Sequence, residues 1–267
     1  MRRTFAVLSL AVMMAVSMVG TALADGHEAQ VSVIHGIPGL TVDVYVNDAL
    51  TIEDFAPGTV AGPLTLAAGD YDLALTAPDD PVASAILTAS ATVTGGTNVS
   101  IIAHLLADGT PNIAVFGNDI SEIAAGESRL TVRHAAAAPE VDIVLADDTI
   151  LFENVPNGAE GIVDVAAATY SVAVTPTGAG VAGAVFGPLD VELPEGTNRI
   201  VYATGDLEGG TFGLVIQDIS GLAAAPAAVP TGSGLAGPAF PWTAAGLLVL
   251  ALIGAGVAVP ALSRKDS

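Results

Sequence analysis

The sequence predicts an all-β exterior built as two tandem seven-stranded β-sandwiches, and three observations carry that prediction. Apolar and polar residues alternate with period two along short runs, the signature of strands with one buried face. Turn-forming residues recur between those runs: Asn47-Asp48, Pro57-Gly58, Pro78-Asp79-Asp80-Pro81, Gly95-Gly96 and Asp108-Gly109. The whole pattern then returns 99 residues later, pairing His35 with His134, Val42 with Val141, Asp43 with Asp142, Pro57 with Pro156, Gly62 with Gly161 and Tyr71 with Tyr170.

Residues 1–24 read as a secretory signal. Arg2 and Arg3 precede an uncharged apolar run, and Ala22-Leu23-Ala24 supplies small-x-small residues for cleavage before Asp25. The first sandwich is expected over 25–122, with strands near 30–36, 41–47, 62–66, 70–76, 86–94, 98–106 and 112–118. In the second of these Val42, Val44 and Val46 face inward, and Asp43, Tyr45 and Asn47 face outward. A joint at 123–128 leads to a second sandwich over 129–221, which repeats the inward set as Val141, Ile143 and Leu145. The offset grows by one at Gly96-Thr97-Asn98 against Gly196-Thr197-Asn198. It is expected to return to 99 at Asp119-Ile120-Ser121 against Asp218-Ile219-Ser220.

Residues 222–241 form an Ala/Pro/Gly-rich stalk in which Pro226, Pro230, Pro238 and Pro241 forbid a continuous helix. Residues 242–262 carry no charge and are long enough to cross a hydrocarbon core of roughly 30 Å. Trp242 opens this transmembrane helix. Arg264 and Lys265 follow it, which places the tail at 263–267 inside and the repeats outside.

Of the 28 acidic residues all but Asp266 fall between Asp25 and Asp218, against only Arg129, Arg133 and Arg199, a net charge of −24. Such a field repels nucleic acid and anionic lipid. The absence of cysteine excludes disulfides and thiolate sites, so apolar cores must supply the stability.

These residues resemble a repeat of bacterial and archaeal surface proteins catalogued as domain of unknown function 4397. Val33-Ile34-His35-Gly36, Val42-Asp43-Val44-Tyr45-Val46-Asn47-Asp48 and Ala67-Ala68-Gly69-Asp70-Tyr71-Asp72-Leu73 carry the likeness in the first copy. Val132-Arg133-His134-Ala135, Pro139-Glu140-Val141-Asp142-Ile143-Val144 and Ala166-Ala167-Ala168-Thr169-Tyr170-Ser171-Val172 carry it in the second. The family's Ser-Pro-Asp turn after the histidine is replaced by Gly36-Ile37-Pro38 and by Ala135-Ala136-Ala137. The resemblance implies an immunoglobulin-like or prealbumin-like sandwich on the cell exterior, and no known activity.

His35 with Asp43, and His134 with Asp142, are the candidates for an acid/base couple or half a metal site. Duplication in both copies favours the simpler reading, in which each histidine fixes how the first strand enters the sandwich. Tyr71 and Tyr170 join them as paired structural positions, whereas His104 has Thr204 as its counterpart and joins no cluster. Asp79, Asp80, Asp147 and Asp148 are weak calcium candidates without the spacing of a calcium loop. No nucleophile elbow or phosphate-binding glycine loop occurs, so no cofactor and no enzyme activity are expected. The expected function is a non-catalytic adhesive or structural module of the envelope, with a carbohydrate- or calcium-binding module as the alternative. Its expected partners are the membrane and other envelope components or extracellular glycans.

Overall fold

The computed structural model describes residues 27–224 of the 267-residue chain. The signal expected at 1–24, the membrane helix expected at 242–262, the tail and all but the first residues of the expected stalk lie outside the described residues. Among the described residues no helix is long and apolar enough to cross a membrane.

The first repeat contains eight strands: β1 (Glu28–His35), β2 (Val42–Val46), β3 (Ala49–Phe55), β4 (Val60–Ala67), β5 (Gly69–Thr76), β6 (Leu87–Val93), β7 (Asn98–Leu105) and β8 (Pro111–Gly117). The second repeats the series as β9 (Glu127–Ala137), β10 (Val141–Leu145), β11 (Ile150–Val155), β12 (Glu160–Ala166), β13 (Ala168–Pro176), β14 (Phe186–Leu193), β15 (Asn198–Asp206) and β16 (Gly213–Ile219). Each repeat folds into two four-stranded sheets. The first has the orders β4-β1-β7-β8 and β3-β2-β5-β6, and the second β12-β9-β15-β16 and β11-β10-β13-β14. All ladders are antiparallel except β1 with β7 and β9 with β15.

Eight strands stand where seven are expected, because β3 is hidden in the sequence. It is an exposed strand with no clean alternation, buried only at Phe55. Its signal is the turn before it: Asn47 and Asp48 both adopt positive φ (49° and 64°), and Val46 pairs with Ala49 across them. That is the two-residue hairpin geometry that asparagine and aspartate tolerate.

The expected return of the repeat offset to 99 does not occur. Ile101 faces Val115 and Val201 faces Ile216, so the last strands are offset by 101. Asp218 therefore lies within β16, whereas Asp119 lies beyond β8. The matching Asp-Ile-Ser triplets are not equivalent positions.

Inside each repeat the inward positions of both sheets meet in one apolar core. In the second, Leu130 and Val132 of β9 pack with Ile143 of β10, Val174 of β13, Val191 of β14 and Val201 of β15. In the first, Val31 and Ile101 meet Leu73 and Val93 from the facing sheet. This arrangement is sandwich-like.

The opposite faces of β7, β9 and β15, and of β1 from Ser32 onward, are largely covered. Ile34 and Ile102 of the first repeat pack against Ala135, Ile200 and Tyr202 of the second. A polar seam runs beside them. Asn118 Nδ2 donates to Ser100 Oγ (2.9 Å), Ser100 Oγ to Gln217 Oε1 (2.8 Å), Tyr202 OH to the same Gln217 oxygen (2.7 Å), and Arg133 Nη1 to Tyr202 OH (2.8 Å). Arg133 also donates to Gly117 O, and its guanidinium lies 4.5 Å from the Phe116 ring centroid. The repeats are thus bonded through a buried joint. Burial in that joint pushes the Tyr202 phenol up, with the Arg133 charge opposing the shift.

Candidate functional site

His35 ends β1 and His134 occupies the matching place on β9; both are fully buried. His35 Nε2 lies 2.7 Å from Leu40 O, and His134 Nε2 lies 2.9 Å from Pro139 O. A carbonyl oxygen can only accept, so each Nε2 carries the proton and each Nδ1 presents a lone pair. The bond ties the end of one strand to the loop that leads into the next. Desolvation lowers the pKa of both imidazoles below the usual 6.5, with the backbone bond opposing it, so each ring is held neutral.

Asp43 and Asp142 are buried too, although their place on the outward side of a half-buried strand suggests contact with water. Asp43 Oδ1 accepts from Asp54 N (2.8 Å), and Oδ2 from Asp79 N (3.0 Å). Asp142 repeats the arrangement with Asn154 N and Gly178 N, both at 2.8 Å. The donors Asp54, Asp79, Asn154 and Gly178 all have positive φ. Each carboxylate therefore clamps two left-handed loop residues to the second strand of its sheet. The histidines and aspartates take main-chain partners instead of each other.

Tyr71 OH donates to Ala67 O (2.8 Å), and Tyr170 OH to Ala166 O (2.9 Å). A tyrosine hydroxyl returning to the backbone four residues upstream locks the corner between two strands, as in other β-sandwiches.

His104 does not stand apart. It is buried at the joint, with Nδ1 3.0 Å from Leu105 O and Nε2 3.2 Å from Asn112 Nδ2. Desolvation is the main cause of its lowered pKa, with the neighbouring His134 contributing in the same direction.

The calcium candidates fall in two unrelated turns. Asp79 and Asp80 lie between β5 and β6, beside a surface recess of about 370 Å³ shared with Tyr45, Glu53 and Asp54. Tyr45 is half-buried, and its hydroxyl donates to Asp80 O (3.0 Å). Asp147 and Asp148 lie between β10 and β11. There Asp147 accepts from Thr149 N (3.1 Å), and Asp148 from Val181 N (2.7 Å). Among the described residues no three histidine, aspartate or glutamate side chains gather as a metal site.

The three arginines between Asp25 and Asp218 are all paired. Arg129 forms a two-pronged pair with Asp164 (2.7 and 2.9 Å) and reaches Asp119 at 3.0 Å. Arg133 binds Glu160 at 2.8 Å, and Arg199 binds Asp218 through two contacts of 2.8 and 2.7 Å. Two of the three stand at the joint between repeats.

No curated protein matches the chain. Residues 29–144 match the family model described as a domain of unknown function (DUF4397), so from β1 through the first repeat and into β10 the chain resembles that family.

Proposed function

We propose that the chain is a membrane-anchored surface protein whose two sandwiches act outside the cell without catalysis, as an adhesive or structural module of the envelope. One observation carries this reading. In both copies the residues best suited to acid/base work, His35 with Asp43 and His134 with Asp142, are committed to main-chain groups that hold strands and loops in place. The signal at 1–24, the stalk at 222–241 and the helix at 242–262 supply export and anchorage in this reading.

Both repeats fit a prealbumin-like sandwich better than an immunoglobulin-like one. A constant-type immunoglobulin domain has seven strands in the orders 1-2-5-4 and 3-6-7. Eight strands in the orders 4-1-7-8 and 3-2-5-6, with the first and seventh parallel, support the prealbumin-like alternative. The shared strand order also supports placing the second repeat in the same family as the first.

Protease treatment of intact cells carrying a C-terminal tag tests the topology. The expected result is loss of the repeats with a short tagged fragment left in the membrane fraction. A tag recovered intact, or in the soluble fraction, would reject it. A strain lacking the chain should then show altered cell–cell aggregation or envelope integrity.

A second reading rests on the recess beside Tyr45, where Glu53, Asp54, Asp79 and Asp80 do not converge as a ligand set but line a concave acidic surface that would attract a hydrated cation or a glycan. Calcium should raise the melting temperature if that reading holds. An unchanged melting curve would remove it.

A further inference from the structure

The two repeats share a strand order but not an interior. Between the sheets of the first lies a cavity of about 250 Å³, whereas the corresponding space in the second is about 30 Å³. The ladders show where the difference arises. Val44 pairs with Ile52 where Ile143 pairs with Phe152; Leu75 pairs with Leu87 where Val174 pairs with Phe186; and Tyr71 pairs with Ala91 where Tyr170 pairs with Val191. At each place one partner is larger in the second repeat, Phe152 for Ile52, Phe186 for Leu87 and Val191 for Ala91, although Val174 is smaller than its counterpart Leu75. Phe152 packs directly against Gly161, and Phe186 meets Phe212 with ring centroids 5.5 Å apart.

The cavity walls come mainly from hydrocarbon side chains, among them Val31, Leu66, Leu73 and Ile101. Water there would have few polar partners, and apolar cavities of roughly 150 Å³ already accept a benzene-sized guest. Asn47 and Thr51, both exposed, also line it and mark the side that reaches solvent. At the other extreme of exposure stands His35, fully buried and part of the lining. Its Nε2–H is committed to Leu40 O, and among the described residues nothing donates to its Nδ1. The twin His134 differs here as well, since its Nδ1 faces the Ala136 N–H at 3.4 Å.

We propose that the cavity of the first repeat is a binding site for a small, uncharged, mostly hydrocarbon molecule bearing one hydroxyl, of the alkylphenol or alkanol class. Its chain fills the space that phenylalanines fill in the twin, and its O–H donates to His35 Nδ1. No cationic side chain lines the cavity, and the exterior is strongly acidic, so an anionic lipid or fatty acid is disfavoured. This goes beyond the surface role and does not depend on it.

The test uses the full chain with labelled Val, Leu and Ile methyl groups, titrated with 4-propylphenol and separately with propylbenzene. Saturable shifts are expected in the methyls of Val31, Leu73 and Ile101, with those of Val172 and Val201 in the second repeat unmoved. The phenol should bind about tenfold more tightly, the worth of one buried hydrogen bond. The double variant Ile52→Phe/Ala91→Val, which installs the twin's residues, should lose binding at least tenfold while keeping a folded spectrum. No shift with either probe, or shifts that survive the filling substitutions, would overturn the site. Equal affinity for the two probes would overturn the hydroxyl and the role of His35. The comparison of probes on the unmodified chain stands even if the double variant fails to fold.

Discussion

His35, His104 and His134 are buried imidazoles whose pKa values burial holds below 6.5. The unfolded chain releases them to the ordinary value, so between the folded and unfolded pKa it binds more protons than the native state. Their contribution is complete above about pH 6.5 and falls as the pH drops below it, by at most about 1.4 kcal/mol per pH unit for each ring. Urea melts between pH 8 and pH 5 should show this decline, with a shallower slope in a His35→Asn/His134→Asn variant. An unchanged slope would place the acid sensitivity elsewhere. Asp142→Ala removes one carboxylate and strands the amides of Asn154 and Gly178. It should cost about 3 kcal/mol, since bonds to a charged acceptor run at about 1.5–3 kcal/mol each. A loss below about 1 kcal/mol in thermal or chemical denaturation would show that water replaces the clamp. The pairing of His35 with His134 and of Asp43 with Asp142 was legible in the repeat itself. Their main-chain partners were not, because each lies on a loop whose path depends on the fold.

Among elements, β9 shows how far a pattern can mislead. Its residues Arg129, Thr131 and Arg133 alternate with Leu130 and Val132 as a solvated face would, yet all three are buried. Alternation reports that the two faces differ in polarity; it does not report what covers the polar one. Here the cover is the first repeat. Arg133→Met would remove the charge paired with Glu160 and the donors to Tyr202 and Gly117. Loss of one partner from a buried pair costs about 3–5 kcal/mol, and the solvent-exposed Glu160 should hold the loss to about 2–3 kcal/mol. The unmodified repeats should melt in one cooperative transition, and the variant in two resolvable steps by calorimetry. A single transition in both proteins would mean that the joint survives without Arg133. Gly36 belongs to the same joint. A Cβ there would sit 2.9 Å from Thr204 Cγ2 and 3.1 Å from Ala103 O, so Gly36→Ala forces the repeats apart locally. That contact explains why a glycine follows the histidine in the first copy.

For the whole molecule the dominant quantity is charge. Residues 25–218 carry −24 with their three arginines already paired, so like charges repel across both repeats. Added salt shortens the screening length from about 30 Å at 0.01 M to about 10 Å at 0.1 M. Relief of about 1–2 kcal/mol should raise the melting temperature by about 3–6 °C over that range. A flat or falling response to sodium chloride would show that the arginine pairs outweigh the repulsion. Buried pairs are screened little, so the expected sign follows from the unpaired carboxylates.

By itself the sequence determined the all-β class, the duplication, the turn at Asn47-Asp48 and the acidic surface. Period-two alternation, turn chemistry and charge are local properties that need no knowledge of neighbours. Three features belong to the tertiary structure alone. The hidden strand of each repeat, β3 and β11, pairs at a sheet edge and shows no clean alternation. The joint that buries Arg133 and Tyr202 exists only because two sheets meet face to face. The cavity of the first repeat depends on side-chain volume at positions such as Ile52, where the second repeat carries the equally apolar but larger Phe152. Hydrophobic pattern records which side chains leave water, and only packing decides whether they fill the space they enter.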